Sequence, residues 1–348
     1  MKSPRKRVAL LACILLACVA APMGREVAVT AVMTGLDNPR GLAFGPEGAL
    51  YVVEAGRGGA GPCMTTRGQL RCYGPTGALS RLWRGAQQRV ASALPSLAYS
   101  NGQATGPHDI AFDGRGGAYL TVGWADNPAA RESLADVGSL FGTLVHVSAS
   151  GQWRVIADLA GYELTTNPAG GPLDSNPYGL LASPGFRVLA DAGANALLQV
   201  KANGDISTVA VFPSRPTRST DSVPTAVTIG PDGAYYVSEL TGMPFPPGTA
   251  RVYRIVPDAE PEIWLDGFTT IVDLEFDHDG TLYVLQHATG NGLAGPGQLI
   301  RVAPDGTRSV IVSDLIAPTS LTIGPDGVVY VTNRGVSIGT GEVLRIEP

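Results

Sequence analysis

Charge is scarce in this sequence: only 16% of its 348 residues are Asp, Glu, Lys or Arg, 25 basic against 30 acidic. A net charge of −5 without an internal basic cluster excludes a phosphate-tracking surface, and with it a nucleic-acid partner. Cysteines and histidines number four each, and no C-x-x-C or H-E-x-x-H occurs, so zinc-ribbon and zincin readings have no motif. G-x-S-x-G elbows and Walker loops are missing too, which removes the motifs of serine hydrolases and nucleotide enzymes. Gly56–Gly61 matches G-x-G-x-x-G after a strand, but Pro62 and Cys63 follow it where a dinucleotide site needs a helix.

What is abundant points elsewhere. Hydrophobic residues reach 44%, enough for a large core, and 45 glycines with 27 prolines punctuate the chain without a G-x-y period. An all-β chain of many tight turns fits this composition; long helices do not. Lys2, Arg5, Lys6 and Arg7 precede the apolar run Val8–Ala17 and the small residues up to Ala21, the order of a secretory signal peptide and too short a run to span a bilayer. Cleavage after Ala20 predicts a leader at 1–20 and a secreted or periplasmic domain at 26–348. Leu15-Leu16-Ala17-Cys18 also resembles a bacterial lipobox, which leaves a lipid anchor at Cys18 open. In an exported chain the remaining pair, Cys63 and Cys72, is expected as a disulfide.

The strongest signal is a sixfold repeat of strand, tight turn and strand. Units open at Pro39, Pro107, Pro177, Pro224, Ile271 and Pro318, the last four each 47 residues apart. Their turns include Gly45-Pro46-Glu47-Gly48, Gly230-Pro231-Asp232-Gly233 and Gly324-Pro325-Asp326-Gly327, in which proline presets φ and glycine relieves the exit. A third strand and a fourth follow in several units, and four antiparallel strands at this period are the signature of a propeller blade. The expected fold is therefore a six-bladed β-propeller. The last unit stops after three strands while a lone strand opens the domain, so the N-terminal strand should close blade six and leave no free edge. Blades one and two carry insertions, one holding the cysteine pair and the other Trp124–Leu140.

Within a hairpin the start of the first strand and the end of the second share a face. Arg40 to Glu54, His108 to Val122, Thr225 to Glu239, Val272 to Gln286 and Thr319 to Asn333 are each 14 apart, and Tyr178 to Asp191 is 13. These ends should ring the channel mouth on the face where the insertions rise. The candidate ligand residues are Glu54, Asp109, Tyr178, Asp191, Glu239, Asp273, Gln286, His287 and Asn333. Asp109, Asp273 and His287 stand one step off the aligned positions, and strand alternation turns such residues to the other face. Carboxylates here offer the oxygen chemistry of Ca²⁺ or Mg²⁺, with Glu54, Asp109, Glu239 and Asp273 as the metal candidates, or they cap turns and pair with Arg40. For catalysis the pair chosen is His108 as general base and Arg40 as the anion-stabilising group. His278, in a turn on the opposite face, and His146, in a third strand, read as solvated or packed.

Gly35-Leu36-Asp37-Asn38-Pro39-Arg40-Gly41-Leu42, Val53-Glu54-Ala55-Gly56-Arg57-Gly58-Gly59 and Gly106-Pro107-His108-Asp109-Ile110 resemble the ScyD/ScyE family. That resemblance implies an exported six-bladed propeller related to proteins of scytonemin biosynthesis clusters, acting on an indole-phenol precursor. In architecture the chain is also similar to calcium-dependent lactonases and to soluble quinoprotein sugar dehydrogenases, the latter using a His with Arg at the channel mouth. The functional expectation is a monomer or homodimer binding a small organic molecule at the loop-rich mouth. A non-catalytic extracellular scaffold is the competing class.

Overall fold

The computed structural model describes residues 27–213 and 220–347. The segment read as a signal peptide, Cys18 included, lies outside the described residues.

Six antiparallel sheets stand around an axis, each numbered here from its inner strand outward. Blade 1 comprises Pro39–Phe44, Leu50–Glu54, Gln69–Trp83 and Ala86–Tyr99, with short added strands Cys63–Thr66 and Ala104–Thr105. Blade 2 is Pro107–Ala111, Ala118–Val122, Thr143–Val147 and Trp153–Asp158; blade 3 is Pro177–Ser183, Phe186–Asp191, Ala196–Lys201 and Ile206–Val211. Blade 4 is Pro224–Ile229, Tyr235–Glu239, Ala250–Ile255 and Glu262–Phe268, and blade 5 is Ile271–Phe276, Leu282–Gln286, Gly297–Val302 and Arg308–Leu315. Blade 6 combines Ser320–Ile323, Val329–Asn333 and Gly341–Glu347 with the N-terminal strand Ala28–Leu36, which pairs antiparallel with Gly341–Glu347. The expected closure is present, and it joins the two ends of the domain through one ladder.

The hairpin turns follow from their residues. Gly48, Gly233 and Gly327 take φ of +81°, +80° and +74°, and each donates its amide back to the glycine that opens the turn, at 2.8–2.9 Å. Second strands are buried on both faces, as the uninterrupted burial of Leu50–Glu54 and Ala118–Val122 shows, so they read as apolar runs instead of alternating. The core is divided among the blade interfaces. Leu79, Ile110 and Leu120 pack between blades 1 and 2, Leu144, Leu180 and Leu189 between 2 and 3, and comparable clusters fill the other four junctions.

Two features depart from the simplest reading. The blade 1 insertion extends its third and fourth strands to 15 and 14 residues, and the cross-strand pair Cys63–Cys72 forms the expected disulfide at its tip. One α-helix, Leu159–Thr166, follows blade 2, capped by the Asp158 carboxylate on the Gly161 amide; its short, Gly- and Thr-containing sequence carries no helical period. No helix among the described residues is long and apolar enough to cross a membrane.

Candidate active site at the propeller axis

In five blades the inner strand slips register against the second strand near its start: between Pro39 and Leu42, Pro107 and Asp109, Pro177 and Leu180, Pro224 and Val227, and Ile271 and Asp273. Such a bulge breaks strict alternation and re-aims side chains. Consecutive residues therefore both serve the axis. The His108 ring packs against Tyr178 in a tilted arrangement, centroids 4.8 Å apart, while the next residue, Asp109, lines the channel with Asp273 and Glu275.

Arg40 and His108 are buried at the axis, with Tyr178 and His287 half-buried in the same layer. The Arg40 guanidinium, 8% exposed, donates to the carbonyls of Gly335 and of Ala104, the latter at 3.0 Å, and its Nε has no acceptor. Among the described residues no carboxylate pairs with it. His108 Nδ1 lies 3.0 Å from the Pro177 carbonyl and His287 Nδ1 lies 2.9 Å from the Pro318 carbonyl. A carbonyl only accepts, so both rings carry their proton on Nδ1 and keep the Nε2 lone pair free. Burial, reinforced by the Arg40 charge, pushes His108 down to about 3 and lowers His287 as well. Burial raises the Tyr178 phenol, with Arg40 opposing.

A second layer lies toward the hairpin turns. Asp109 on blade 2 and Asp273 on blade 5 stand on opposite sides of a six-membered ring. Each accepts amides from its own strand and the next blade: Asp109 from Ile110 and Leu180 at 2.8 and 2.6 Å, Asp273 from Leu274 and Leu321 at 2.8 Å each, with Ser320 Oγ at 2.6 Å. Burial pushes both carboxyls up, Asp273 to about 6, and mutual repulsion adds to the rise at Asp109. Glu275 is lifted to about 8 by burial and then by Asp273. The channel cavity beyond them, about 310 Å³, runs past Phe44, Phe112 and Ile323 toward the turns.

The second-strand ends behave differently. Glu54 is fully buried and accepts the Asp37 amide at 2.9 Å, Ser80 Oγ at 2.6 Å and the Arg89 guanidinium at 2.9 Å. Asp191 accepts the Asn176 amide, Gln286 that of Thr269 and Asn333 that of Ile316, at 2.6–2.7 Å. In each case the strand end ties down the loop that leads into the same blade's inner strand. Glu239 is fully buried at the matching position of blade 4. The four metal candidates are thus divided, with Glu54 and Glu239 at strand ends and Asp109 and Asp273 in the channel. Among the described residues no three His, Cys, Asp or Glu side chains converge as a cation site. Glu54, Asp109 and Asp273 each accept hydrogen bonds from protein donors.

A cleft of about 390 Å³ opens beside this layer on the loop-rich face. Arg67, Asp174, Asn176, Asp221, Met243 and Phe245 line it, and Asn176 connects it to the axis. A Cβ on Gly123 would come within 2.0 Å of His108 Cε1 and 2.6 Å of Asn176 Oδ1, so the glycine is what lets the imidazole lie against Asn176. The insertions meet here: Thr66 donates to Asp126 at 2.8 Å, and Arg71 and Arg67 approach Asp126 and Asp174 at 3.6 and 3.9 Å. Sequence reasoning missed this cleft. The visible signal was Met243-Pro244-Phe245, apolar bulk in a Gly- and Pro-rich loop just after a site-bearing strand; Met243 is 67% exposed.

No family model and no curated protein sequence matches the chain. Solved structures do share its fold. A streptogramin B lyase superposes with a TM-score of 0.52 at 14% identity, over 92% of this chain and 98% of the other. A glucose dehydrogenase gives 0.53 at 16%, over 92% and 99%. A gluconolactonase from Xanthomonas campestris gives 0.55 at 11%, over 92% and 90%. At these identities the likeness is one of fold: the chain is a six-bladed β-propeller of the architecture shared by these lyase, dehydrogenase and lactonase structures.

Proposed function

We propose that this protein is an exported propeller that binds a small organic molecule at the loop-rich end of the axis and moves a proton on it. One observation carries the reading: Arg40 is a buried guanidinium with no carboxylate partner among the described residues, set beside an imidazole that stays neutral. An uncompensated buried charge is costly, and a ligand carrying or developing negative charge offsets that cost. The adjoining cleft, with an apolar wall at Met243 and Phe245 and polar groups at Arg67, Asp174 and Asn176, has the size and mixed lining of a small-molecule site.

In this reading the His108 Nε2 lone pair takes a proton from an acidic C–H or O–H of the bound molecule. Arg40 stabilises the anion left behind. An anion bound next to the imidazole raises its basicity from the low value of the free site. The Pro177 carbonyl holds the ring in the required tautomer, and the Tyr178 ring packs beside it. The disulfide and the leader-like N-terminus support export.

Aldonolactones, phenols and small carboxylates are the probes, scored by thermal shift and by turnover, with gluconolactone first because a gluconolactonase shares the fold. Binding that is lost in Arg40→Met, together with turnover lost in His108→Ala while binding persists, is the expected pattern. Ligand binding unaffected by either change sinks the assignment and favours the scaffold class.

A further inference from the structure

The tyrosine of the second strand recurs opposite an arginine of the third: Tyr51 faces Arg81, Tyr236 faces Arg254, Tyr283 faces Arg301 and Tyr330 faces Arg345. In blades 1, 4 and 6 that arginine pairs with the acid of the hairpin turn, Glu47, Asp232 or Asp326. Blade 2 breaks the pattern, because Tyr119 faces His146. Its turn acid, Asp113, is met from the neighbouring blade by Arg187 at 3.3 Å.

Filling the vacated place accounts for Arg187 and for nothing else nearby. Arg154 stands opposite His146 on the fourth strand, and Lys201 stands opposite Phe186 on blade 3; both line a cavity of about 180 Å³ with Tyr119, His146 and Arg187. Among the described residues no carboxylate lines that cavity; Asp113 is engaged with Arg187 and with the Tyr119 hydroxyl, and Arg115 adds further positive field. The Arg187 guanidinium is 3.6 Å from the centre of the Tyr119 ring and only 6% exposed, and its Nε has no acceptor.

We infer that the groove between blades 2 and 3 is a binding site for a small oxyanion of the phosphate class, separate from the axial site and on the turn side of the ring. Arg187, its Nη2 held by Asp113, supplies a desolvated guanidinium, the planar group that suits oxyanion edges. Arg154 and Lys201 close over the anion from the rim, and His146 forms part of the wall. The volume admits a phosphate or sulfate ion, or the phosphate group of a small monoester whose remainder projects into solvent.

Inorganic phosphate is the probe, titrated into the purified chain lacking its leader and followed by calorimetry and by ³¹P line broadening, with sulfate as the second anion and chloride as the control. Saturable phosphate binding is expected, competed by sulfate but not by chloride. Arg154→Gln with Lys201→Gln, both at the exposed rim, should weaken it at least tenfold while leaving the melting temperature within a degree or two. Arg187→Gln should abolish it, provided circular dichroism shows the fold intact. Absence of saturable binding in the unmutated chain, or equal affinity in the rim double variant, overturns the inference.

Discussion

Asp109 on the second blade accepts the amide of Leu180 on the third at 2.6 Å, across 71 residues of chain. Asp273 makes the same connection from the fifth blade to Leu321 on the sixth. The histidines repeat it one layer away, His108 bonding to the Pro177 carbonyl and His287 to that of Pro318. Two opposite blade junctions are therefore stitched by an acid and a histidine each.

Removing either acid should loosen its junction. Asp109→Ala and Asp273→Ala each leave a backbone amide of the next blade without its acceptor, at a cost of about 1–3 kcal/mol. The two carboxyls repel, and either single substitution already relieves that repulsion, so the double variant should lose more than the sum of the singles. Urea denaturation midpoints test this, and full additivity would show the acids to be electrically independent.

Stability should fall on the alkaline side. Glu275 in the fold sits at about 8 against an ordinary 4.5, and Asp273 at about 6 against 3.8. The folded chain holds protons that the unfolded chain has released, so this contribution is complete below the unfolded values and is lost as pH rises through the folded ones. Each such group removes about 1.4 kcal/mol per pH unit within its window. Melting temperatures should therefore decline between about pH 5 and 8, and Glu275→Gln should flatten the decline; an unaltered slope in that variant would refute the assignment.

His108 titrates in the opposite sense. Its folded value of about 3 lies below the ordinary 6.5, so stability from this group is present above 6.5 and is lost as pH falls. The imidazole ¹⁵N shifts should report a neutral ring protonated at Nδ1 down to about pH 4. An inflection near the ordinary histidine value would place the ring in solvent.

Gly123→Ala should act on the site through packing alone. The added methyl meets His108 and Asn176 inside van der Waals contact, for an expected loss of about 1–3 kcal/mol in stability. Ligand-induced thermal shifts should vanish in this variant while the secondary structure by circular dichroism stays intact.

Much of the placement of the candidate residues was legible from spacing. Arg40, His108 and Tyr178 were placed together because a hairpin brings strand starts to one face, and they share a layer. Alternation set Asp109 and Asp273 apart, yet they line the channel, because bulges in the inner strands cancel the alternation there. Glu54, Asp191, Gln286 and Asn333 occupy the predicted ring positions, but each reaches back to the loop entering its own blade. Residue type cannot separate a carboxylate that faces the channel from one that ties a loop; the amide it meets belongs to a distant part of the chain.

Local rules were enough for the repeat, the turns, the blade count and the closing strand, because period, glycine at positive φ and apolar patterning act over a few residues. The disulfide also followed from the one cysteine pair left in a chain read as exported. Tertiary structure decided what depends on contacts between blades: the neutral tautomers of His108 and His287, the raised carboxyls at the axis, the cleft under Met243 and Phe245, and the cationic groove around Arg187. Each arises where residues tens of positions apart are forced together and dried, and it is this desolvation, absent from any single strand, that sets their chemistry.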